Sequence, residues 1–258
     1  MKGVRKLLIL GVSLLLLFAA CSQDLLNQVL GTATTAEGTE INYEIMGLML
    51  AYPSYSAVDA AMSTAFDGIG MEETSGPIQI DTIVNVEGTV RLTLNGTYTY
   101  DTGTGTLTIQ VDTGSLSIEG TTPIYDENNQ RIADISRGTL DIRFSVEATV
   151  VENPDYPGDF YPSSLTIQSF TIDGSVPVNL RDSKYKDGNL VANSFKVRLQ
   201  IEVPNADASP YEFTYNWQYV SGSISYADED VTQQAFDELK IAFPQVLDQE
   251  SDNDTGSY

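Results

Sequence analysis

The sequence contains no histidine and only one cysteine, Cys21, among its 258 residues. Histidine is the commonest general base in enzymes and the commonest zinc ligand, so its absence argues against most histidine-dependent catalysis and zinc binding. A lone cysteine can form no disulfide within the chain. The stability of the fold must therefore come from a hydrophobic core.

Positive charge is also scarce, with 13 lysines and arginines against 36 aspartates and glutamates. Three of the cations and none of the acids lie in residues 1–20, so removal of that segment would leave ten cations and a formal charge of −26. Nucleic acid and anionic membrane surfaces are expected to repel such a chain. The charges are scattered, which indicates a solvated acidic surface; a surface for a basic partner and adaptation to high salt are the alternatives.

The first residues have the features of an export signal. Lys2, Arg5 and Lys6 precede an uncharged run over residues 7–18 that is apolar except for Ser13. As a helix this run would span about 18 Å, well short of the roughly 30 Å hydrocarbon core of a bilayer. It is therefore too short for a permanent transmembrane helix. A basic start, a short apolar core and small residues before a cleavage site are typical of a signal peptide.

The end of this segment, Phe18-Ala19-Ala20-Cys21, resembles the lipobox of bacterial lipoproteins. The resemblance implies that Cys21 carries acyl chains such as palmitate and becomes the first residue of the mature protein. It also implies a place in the bacterial cell envelope. Ser22 is compatible with sorting to the outer membrane, at its periplasmic face or at the cell surface. The alternative is ordinary signal cleavage, with Cys21 as an incidental apolar residue.

The apolar pattern divides the chain into an anchor, one domain and a tail. We predict a signal peptide over 1–20, a lipidated N-terminus and tether over 21–39, a single β-rich domain over 40–247 and a disordered acidic tail over 248–258. Apolar residues at helical spacing predict helices over 41–51, 56–67 and 231–243. Pro53 is expected to separate the first two helices, and Pro244 to end the third.

At Gly76-Pro77 the apolar period changes from that of a helix to that of a strand with one buried face. Opposite residues of an antiparallel pair have positions that sum to a constant, so each turn can be tested by the pairs it creates. Turns at Gly103-Thr104 and Thr113-Gly114 both pair apolar residues, and they predict a three-stranded meander over 90–119. A turn at Asn95-Gly96 would mix apolar with polar residues, so the chain is expected to stay extended there.

The second half of the domain gives a similar pattern. Apolar residues on one face predict a strand over 140–150, and a change of parity predicts a bulge near Gln168. A hairpin turn is predicted at Asp187-Gly188. Across the next loop, the same arithmetic pairs Val197 with Trp217.

Together these patterns predict an α+β fold that is mainly antiparallel β. We expect one large curved meander sheet of about eight to ten strands, with two N-terminal helices and one C-terminal helix on its buried face. Sheets with many long strands tend to curl. The pattern leaves open whether this sheet closes on itself, stays an open half-pipe or splits into two sheets.

Three groups of residues have spacings that occur in catalytic or metal sites, and each has a simpler explanation. Ser183 and Lys186 match the serine and lysine spacing of penicillin-recognising enzymes, but they fall on a predicted hairpin tip instead of a helix. The run Asp126–Gln130 is oxygen-rich, yet it lacks the glycine and closing glutamate of a calcium-binding loop. The acid pairs Glu72-Glu73 and Asp228-Asp230 could serve glycoside hydrolysis, but they fit a loop and a helix cap. We therefore predict no enzymatic activity, no cofactor and no metal site.

The feature most suggestive of a binding site is an aromatic stripe on a strand near the C-terminus. Its members alternate along the sequence: Tyr211, Phe213, Tyr215, Trp217 and Tyr219. Such a stripe is common in sheet cores, but rings with polar tips also line ligand cavities.

Two functions fit these features. The first is a membrane-anchored, non-catalytic binding module that holds an apolar or lipid ligand between sheet and helices. This architecture is similar in outline to the half-barrel lipoproteins that move lipids or lipoproteins between membranes, although no motif carries the similarity. The second is an envelope scaffold, adhesin or surface interaction protein with a filled core. In both, acyl chains on Cys21 hold the protein to a membrane, and nucleic acid is not a partner. A continuous apolar cavity above about 300 Å³ would favour the first function, and a packed interior the second.

Overall fold

A computed structural model describes residues 38–84, 89–125, 130–152, 160–202 and 213–253, with side chains up to residue 244. In these ranges the chain forms two helices, α1 (Tyr43–Gly70) and α2 (Thr232–Asn253). It also forms ten strands, which are β1 (Ser75–Ile83), β2 (Val90–Asp101), β3 (Thr106–Ile118), β4 (Thr122–Tyr125), β5 (Arg131–Ile135), β6 (Gly138–Glu152), β7 (Phe160–Leu180), β8 (Gly188–Glu202), β9 (Thr214–Tyr226) and β10 (Glu229–Asp230).

The strands form one large open sheet in which every pairing is antiparallel. Its order is β1-β2-β3-β6-β7-β8-β9-β10. The short strands β4 and β5 pair with each other, and β5 also pairs with the end of β7. The sheet is thus a meander from which only the β4–β5 hairpin departs. The predicted class, mainly antiparallel β with helices, is confirmed at this level.

One face of the sheet is apolar and packs against both helices. In β6 every second side chain is buried from Leu140 to Val150, whereas its neighbours Asp141 and Arg143 are exposed. α1 contacts β1, β2, β3, β6 and β7, and α2 contacts β9. A single hydrophobic cluster joins the inner face of the sheet with the two helices. The opposite face is polar and exposed.

The N-terminal helix is continuous where the sequence predicts two, so the break expected at Pro53 is wrong. The side chain of Asn42 accepts a hydrogen bond from the Ile45 amide and caps the helix start. Proline in a helix interior costs about 3 kcal/mol because it lacks an N–H donor. α1 is buried on several sides, and Pro53 is itself buried, so packing offsets this cost. The Ser54 hydroxyl also donates to the Leu50 carbonyl one turn earlier (2.6 Å).

The predicted hairpin at Gly103-Thr104 is confirmed, because Tyr100 pairs with Leu107 as expected. The second turn of that meander, at Thr113-Gly114, is wrong. β3 continues through it with a bulge, and residues 90–119 hold two strands instead of three. Gly114 permits the bulge, since a Cβ there would lie 2.6 Å from the Leu94 side chain.

The hairpin turn predicted at Asp187-Gly188 is also wrong. A longer loop, residues 181–187, joins β7 to β8, and Val178 pairs with Gly188. The Asp187 carboxylate closes this loop by accepting a hydrogen bond from the Leu180 amide (2.6 Å).

Further along these strands, the bulge expected near Gln168 is confirmed by a register shift between Ile167 and Phe170. The β8–β9 register differs from the prediction by two residues, because Val197 pairs with Tyr219 instead of Trp217. A shift of two leaves every inward side chain inward, so hydrophobic alternation fits both registers equally.

The C-terminal helix runs past Pro244 to Asn253, so the end predicted at residue 243 is wrong. Its start agrees with the sequence: the Asp230 carboxylate accepts hydrogen bonds from the amide (3.0 Å) and hydroxyl (2.7 Å) of Thr232. Residues 248–253 of the predicted disordered tail are helical. Residues 254–258 lie outside the described part of the chain.

The chain enters the domain against the loop 181–187. The amides of Thr39 and Glu40 both donate to the Lys184 carbonyl (3.0 Å each), and the Lys186 amide donates to the Glu40 carbonyl (2.8 Å). The last residues of the predicted tether are therefore held at one end of the sheet. The signal peptide over 1–20 and the segment 21–37 lie outside the described residues.

Both helices run away from this entry end. Gly47 packs so closely on α2 that a Cβ there would lie 2.7 Å from Glu238. Eight residues further along α1, Tyr55 contacts Phe243, five residues further along α2. The two helices are thus parallel, and α2 ends at the far end of the sheet from Thr39.

Candidate functional site

The aromatic stripe lies on β9, the last long strand of the sheet. Tyr211 lies outside the described residues, and Phe213 immediately precedes the strand. Tyr215 and Trp217 are partly buried on the inner face, toward α2, while Tyr219 is 39% exposed. The stripe therefore passes from the core to the surface along one strand.

Phe243 of α2 is the centre of the buried part of the stripe. Its ring is 2% exposed and meets Trp217 at 5.2 Å, Tyr215 at 6.3 Å and Tyr55 at 6.2 Å, all edge to face. Edge-to-face aromatic pairs add about 0.5–1.5 kcal/mol each beyond burial. This cluster holds α1, α2 and β9 together, and the sequence alone indicates only that Phe243 faces inward.

Two members of the stripe have distinctive polar atoms. The indole Nε1 of Trp217 is buried and has no hydrogen-bond partner in the described part of the chain. An unsatisfied buried donor costs about 1–3 kcal/mol. The Tyr219 hydroxyl instead donates to the Gly222 carbonyl (2.6 Å), and its ring lies 6.0 Å from Phe236.

Near Tyr219 the sheet bends across three neighbouring strands. Gly174 in β7, Ser194 in β8 and Gly222 in β9 all have positive φ, and the register shifts beside them. Gly222 approaches β8 so closely that a Cβ would lie 2.1 Å from the Ser194 carbonyl oxygen. Irregularities of this kind bend a strand and increase its local twist.

Asp173 is the polar group that holds this bend. It accepts hydrogen bonds from the Ser194 amide (2.5 Å) and hydroxyl (3.1 Å) and pairs with Arg143 (2.6 Å). Burial alone would raise the pKa of this carboxyl, but the bonds from Ser194 and the Arg143 guanidinium lower it below its ordinary value.

The surroundings of β9 are unusual in charge. Residues 213–227 include no charged side chain, although the chain as a whole carries a formal charge of −23. On the outer face of β8, Lys196 and Arg198 stand opposite Ser221 and Gln218 of β9. Neither cation has an ion-pair partner among the described residues.

The other candidate groups have structural roles. Ser183 lies in the loop 181–187, which is not helical, and Lys186 pairs with Glu229, so the penicillin-type motif lacks its helix. Glu73 accepts a hydrogen bond from the Tyr98 hydroxyl (3.0 Å) just after α1. Asp228 lies in a turn with φ 65°. Most of the calcium-like run Asp126–Gln130 lies outside the described residues.

A surface cavity of about 420 Å³ lies at the entry end of the sheet, between β3, β5 and β7. It is lined by Glu119, Gly120, Thr121, Ser136, Arg137 and Pro177. The lining is partly polar and partly apolar, and it includes no residue of the aromatic stripe. Of the described residues, no three acidic or cysteine side chains are grouped so that they could hold a metal ion.

The described helices include none that is long and apolar enough to cross a bilayer. No protein-family model matches the chain, and comparison with curated proteins and with solved structures gives no significant match. The argument for function therefore depends on the residues themselves.

Proposed function

We propose that the protein is a lipid-anchored, non-catalytic protein of the bacterial cell envelope that works by contact with another envelope protein. The observation that carries this proposal is the filled inner face of the sheet. Side chains of α1 and α2 pack against that face in one continuous cluster. The surfaces left for a partner are the polar outer face and the edges of the sheet.

The outer face suits contact with a hydrated partner. Its side chains are rich in hydroxyls that pair across strands, as in Thr93 with Ser115 (2.9 Å) and Ser145 with Ser169 (3.4 Å). Cross-strand pairs of this kind stabilise a sheet. Exposed large apolar side chains are few in the described residues, and two of the five, Tyr219 and Val220, lie on β9.

The anchor and the domain are close in sequence. Residues 22–37 separate Cys21 from Gly38, and a chain of that length spans at most about 60 Å. Lipidation at Cys21 would therefore keep the domain near the bilayer, and we propose the outer membrane as its place.

The anchor is tested with the full chain carrying Cys21→Ser, compared with Ser22→Ala as a matched control. We expect Cys21→Ser, or an inhibitor of the lipoprotein signal peptidase, to alter the processing of the protein and to release it from washed membranes. Ser22→Ala should stay bound. Equal membrane retention of Cys21→Ser and the control would overturn the proposed anchor.

A second function, the holding of an apolar or lipid ligand, is favoured by one observation. The unpartnered Trp217 Nε1 lies in a stripe whose rings are only partly buried. Native mass spectrometry of the full chain in detergent, purified from cells, separates the two functions. A non-covalently bound lipid that stays with the wild type but not with Trp217→Phe supports ligand binding at the stripe. A wild-type chain that carries no lipid besides its covalent anchor argues against it.

A further inference from the structure

The two edges of the sheet differ in how they are protected. Natural proteins guard exposed edges with proline, charge or covering elements, because unpaired backbone groups attract other strands. On β1, Pro77 has no N–H to offer and Asp81 is exposed in an ion pair with Arg91. β9 has neither proline nor charge over Thr214–Tyr226.

The last residues of β9 show which of its backbone groups face the open edge of the sheet. β9 and β10 form a tight hairpin, with Tyr226 opposite Glu229. The Ile224 carbonyl accepts from the Val231 amide (2.9 Å), and the Ile224 amide donates to the Thr232 hydroxyl (2.9 Å). The backbone groups of residue 224 thus point away from β8, and after Val231 the chain leaves the sheet in α2.

In an antiparallel strand the bonding direction alternates from residue to residue. β9 has one extra residue between Tyr219 and Ser221, which pair with the consecutive residues Val197 and Lys196, so before this bulge the outward direction seen at residue 224 falls on the odd positions. The Gly222 carbonyl already accepts a hydrogen bond from the Tyr219 hydroxyl. The backbone groups of Trp217 and Tyr219 point toward this edge, and β9 pairs only with β8 and β10 in the described part of the chain.

We propose that this edge, residues 214–220, binds an extended segment of another protein as an added strand. The inference rests on the proposed contact function but not on the lipid anchor. In strand addition, main-chain hydrogen bonds supply affinity and alternate side chains supply specificity. Tyr219 and Val220, 39% and 45% exposed, would give the added strand apolar contacts.

The charges around the β9 edge indicate which kind of segment it would bind. The edge strand is uncharged, and Lys196 and Arg198 stand beside its middle on the outer face of β8. Acidic residues lie at both of its ends: Glu202 opposite Thr214, and Asp228, Glu229 and Asp230 after the strand. The segment that fits is uncharged over about seven residues and carries Lys or Arg at its ends. A second copy fits poorly, since antiparallel pairing of two such edges brings like charges together.

The probe is a ten-residue peptide, KKTVTVTVKK, titrated against the full chain in detergent micelles. Trp217, the only tryptophan, lies in the middle of the edge strand, so its emission reports binding directly. Three comparison probes share the core: one with Glu in place of Lys, and one of each charge with N-methylated outward amides, which cannot pair.

We expect the basic peptide to bind about tenfold more tightly than the acidic one and the N-methylated peptides to bind at least about tenfold more weakly than their parents. Tyr219→Pro, which removes one outward N–H, should weaken the basic peptide about tenfold. Gln79→Pro on the guarded edge, at the same alternation as Pro77, is the matched control and should change nothing.

Equal binding of methylated and unmethylated peptides to the wild type would overturn the proposal, whether or not Tyr219→Pro folds. So would the absence of binding, or a native mass that shows a dimer dispersed by Tyr219→Pro. These outcomes are distinct from failure of the anchor. Loss of peptide binding with Cys21-dependent membrane retention intact removes only the edge site.

Discussion

Asp59 offers a direct test of how burial tunes stability in this fold. It lies on α1, one turn after Tyr55, and no hydrogen-bond or ion-pair partner faces it among the described residues. Burial disfavours the charged carboxylate and raises the pKa of Asp59 to about 6 from the ordinary 3.8. The folded protein must therefore hold an unpaired charge at neutral pH.

The cost of that charge follows from the two pKa values. At 1.36 kcal/mol per pKa unit, the difference between 3.8 and about 6 corresponds to about 3 kcal/mol at pH 7. This figure is an upper bound, because Asp59 keeps some contact with solvent. Asp59→Asn removes the charge and is expected to raise the free energy of unfolding by about 1–3 kcal/mol at neutral pH.

The pH dependence has a definite sign. Between 3.8 and about 6 the folded state holds a proton that the unfolded state releases, so the contribution of Asp59 to stability falls as the pH rises through this window. The advantage of Asp59→Asn over the wild type should be smallest near pH 4 and reach its full value above about pH 6.5.

The assay is urea unfolding of the full chain followed by Trp217 emission at several pH values between about 4 and 7.5. Asp67→Asn, two turns further along α1, removes the same charge and controls for relief of the overall negative charge. If the difference between Asp59→Asn and the wild type is the same at every pH, or no larger than that of Asp67→Asn, the reasoning is refuted.

Three further substitutions test the packing described above. Asp173→Asn should lower the free energy of unfolding by about 1.5–3 kcal/mol at neutral pH. Its deficit should disappear as the pH falls below 3.8, because the lowered pKa of Asp173 gives a stabilisation that protonation removes. Gly47→Ala should cost about 1–3 kcal/mol in urea unfolding, since its Cβ would meet Glu238 at 2.7 Å. Phe243→Ala should cost about 3–5 kcal/mol and shift Trp217 emission to longer wavelength.

Matched controls separate these effects from general ones. Asp141→Asn changes an exposed carboxylate directly across from Asp173, and Ile241→Ala changes an exposed residue of α2. Each should alter the free energy of unfolding by less than about 0.5 kcal/mol. If Asp141→Asn costs as much as Asp173→Asn, the Asp173 contacts do not stabilise the bend. Equal costs for Ile241→Ala and Phe243→Ala would contradict the role of the aromatic cluster. A neutral Gly47→Ala would contradict the close contact of the two helices.

Much of the sheet could be predicted because its apolar residues alternate so regularly. Three features follow from whether apolar residues fall at odd or even positions. They are the strand around 140–150, the hairpin at Gly103-Thr104 and the bulge near Gln168. Parity does not determine register beyond a shift of two, because such a shift preserves which side chains face inward. The β8–β9 register is an error of this kind. The false turn at Thr113-Gly114 has another cause, since the change from odd to even apolar positions there fits a bulge within one strand as well as a turn.

The helix ends were mispredicted for a different reason. The sequence predicts that Pro53 and Pro244 each stop a helix, yet each lies inside one. Local propensity is a weak prior that tertiary burial overrides. α1 contacts five strands of the sheet and also packs against α2. This burial favours a continuous helix despite the backbone hydrogen bond that Pro53 cannot donate.

The candidate site shows the same limit. The sequence identified the stripe from Phe213 to Tyr219 but not that its strand has an open edge, because edge position depends on topology. One sequence signal was available: residues 213–227 carry no charge in a strongly acidic chain. Lipidation of Cys21 and the cavity predicted at the stripe stay predictions.

The entry of the chain also bears on which partner the β9 edge can take. Antiparallel pairing of two β9 edges needs a two-fold axis perpendicular to the joined sheet, which sets the Thr39 ends of the two copies at opposite ends. The fifteen residues of β6 span about 50 Å. With both copies anchored at Cys21 in one bilayer, one tether would have to use nearly all of its reach of about 60 Å to pass the sheet. An added strand from a separate protein has no such constraint, so anchoring and edge geometry together favour a foreign segment over a second copy.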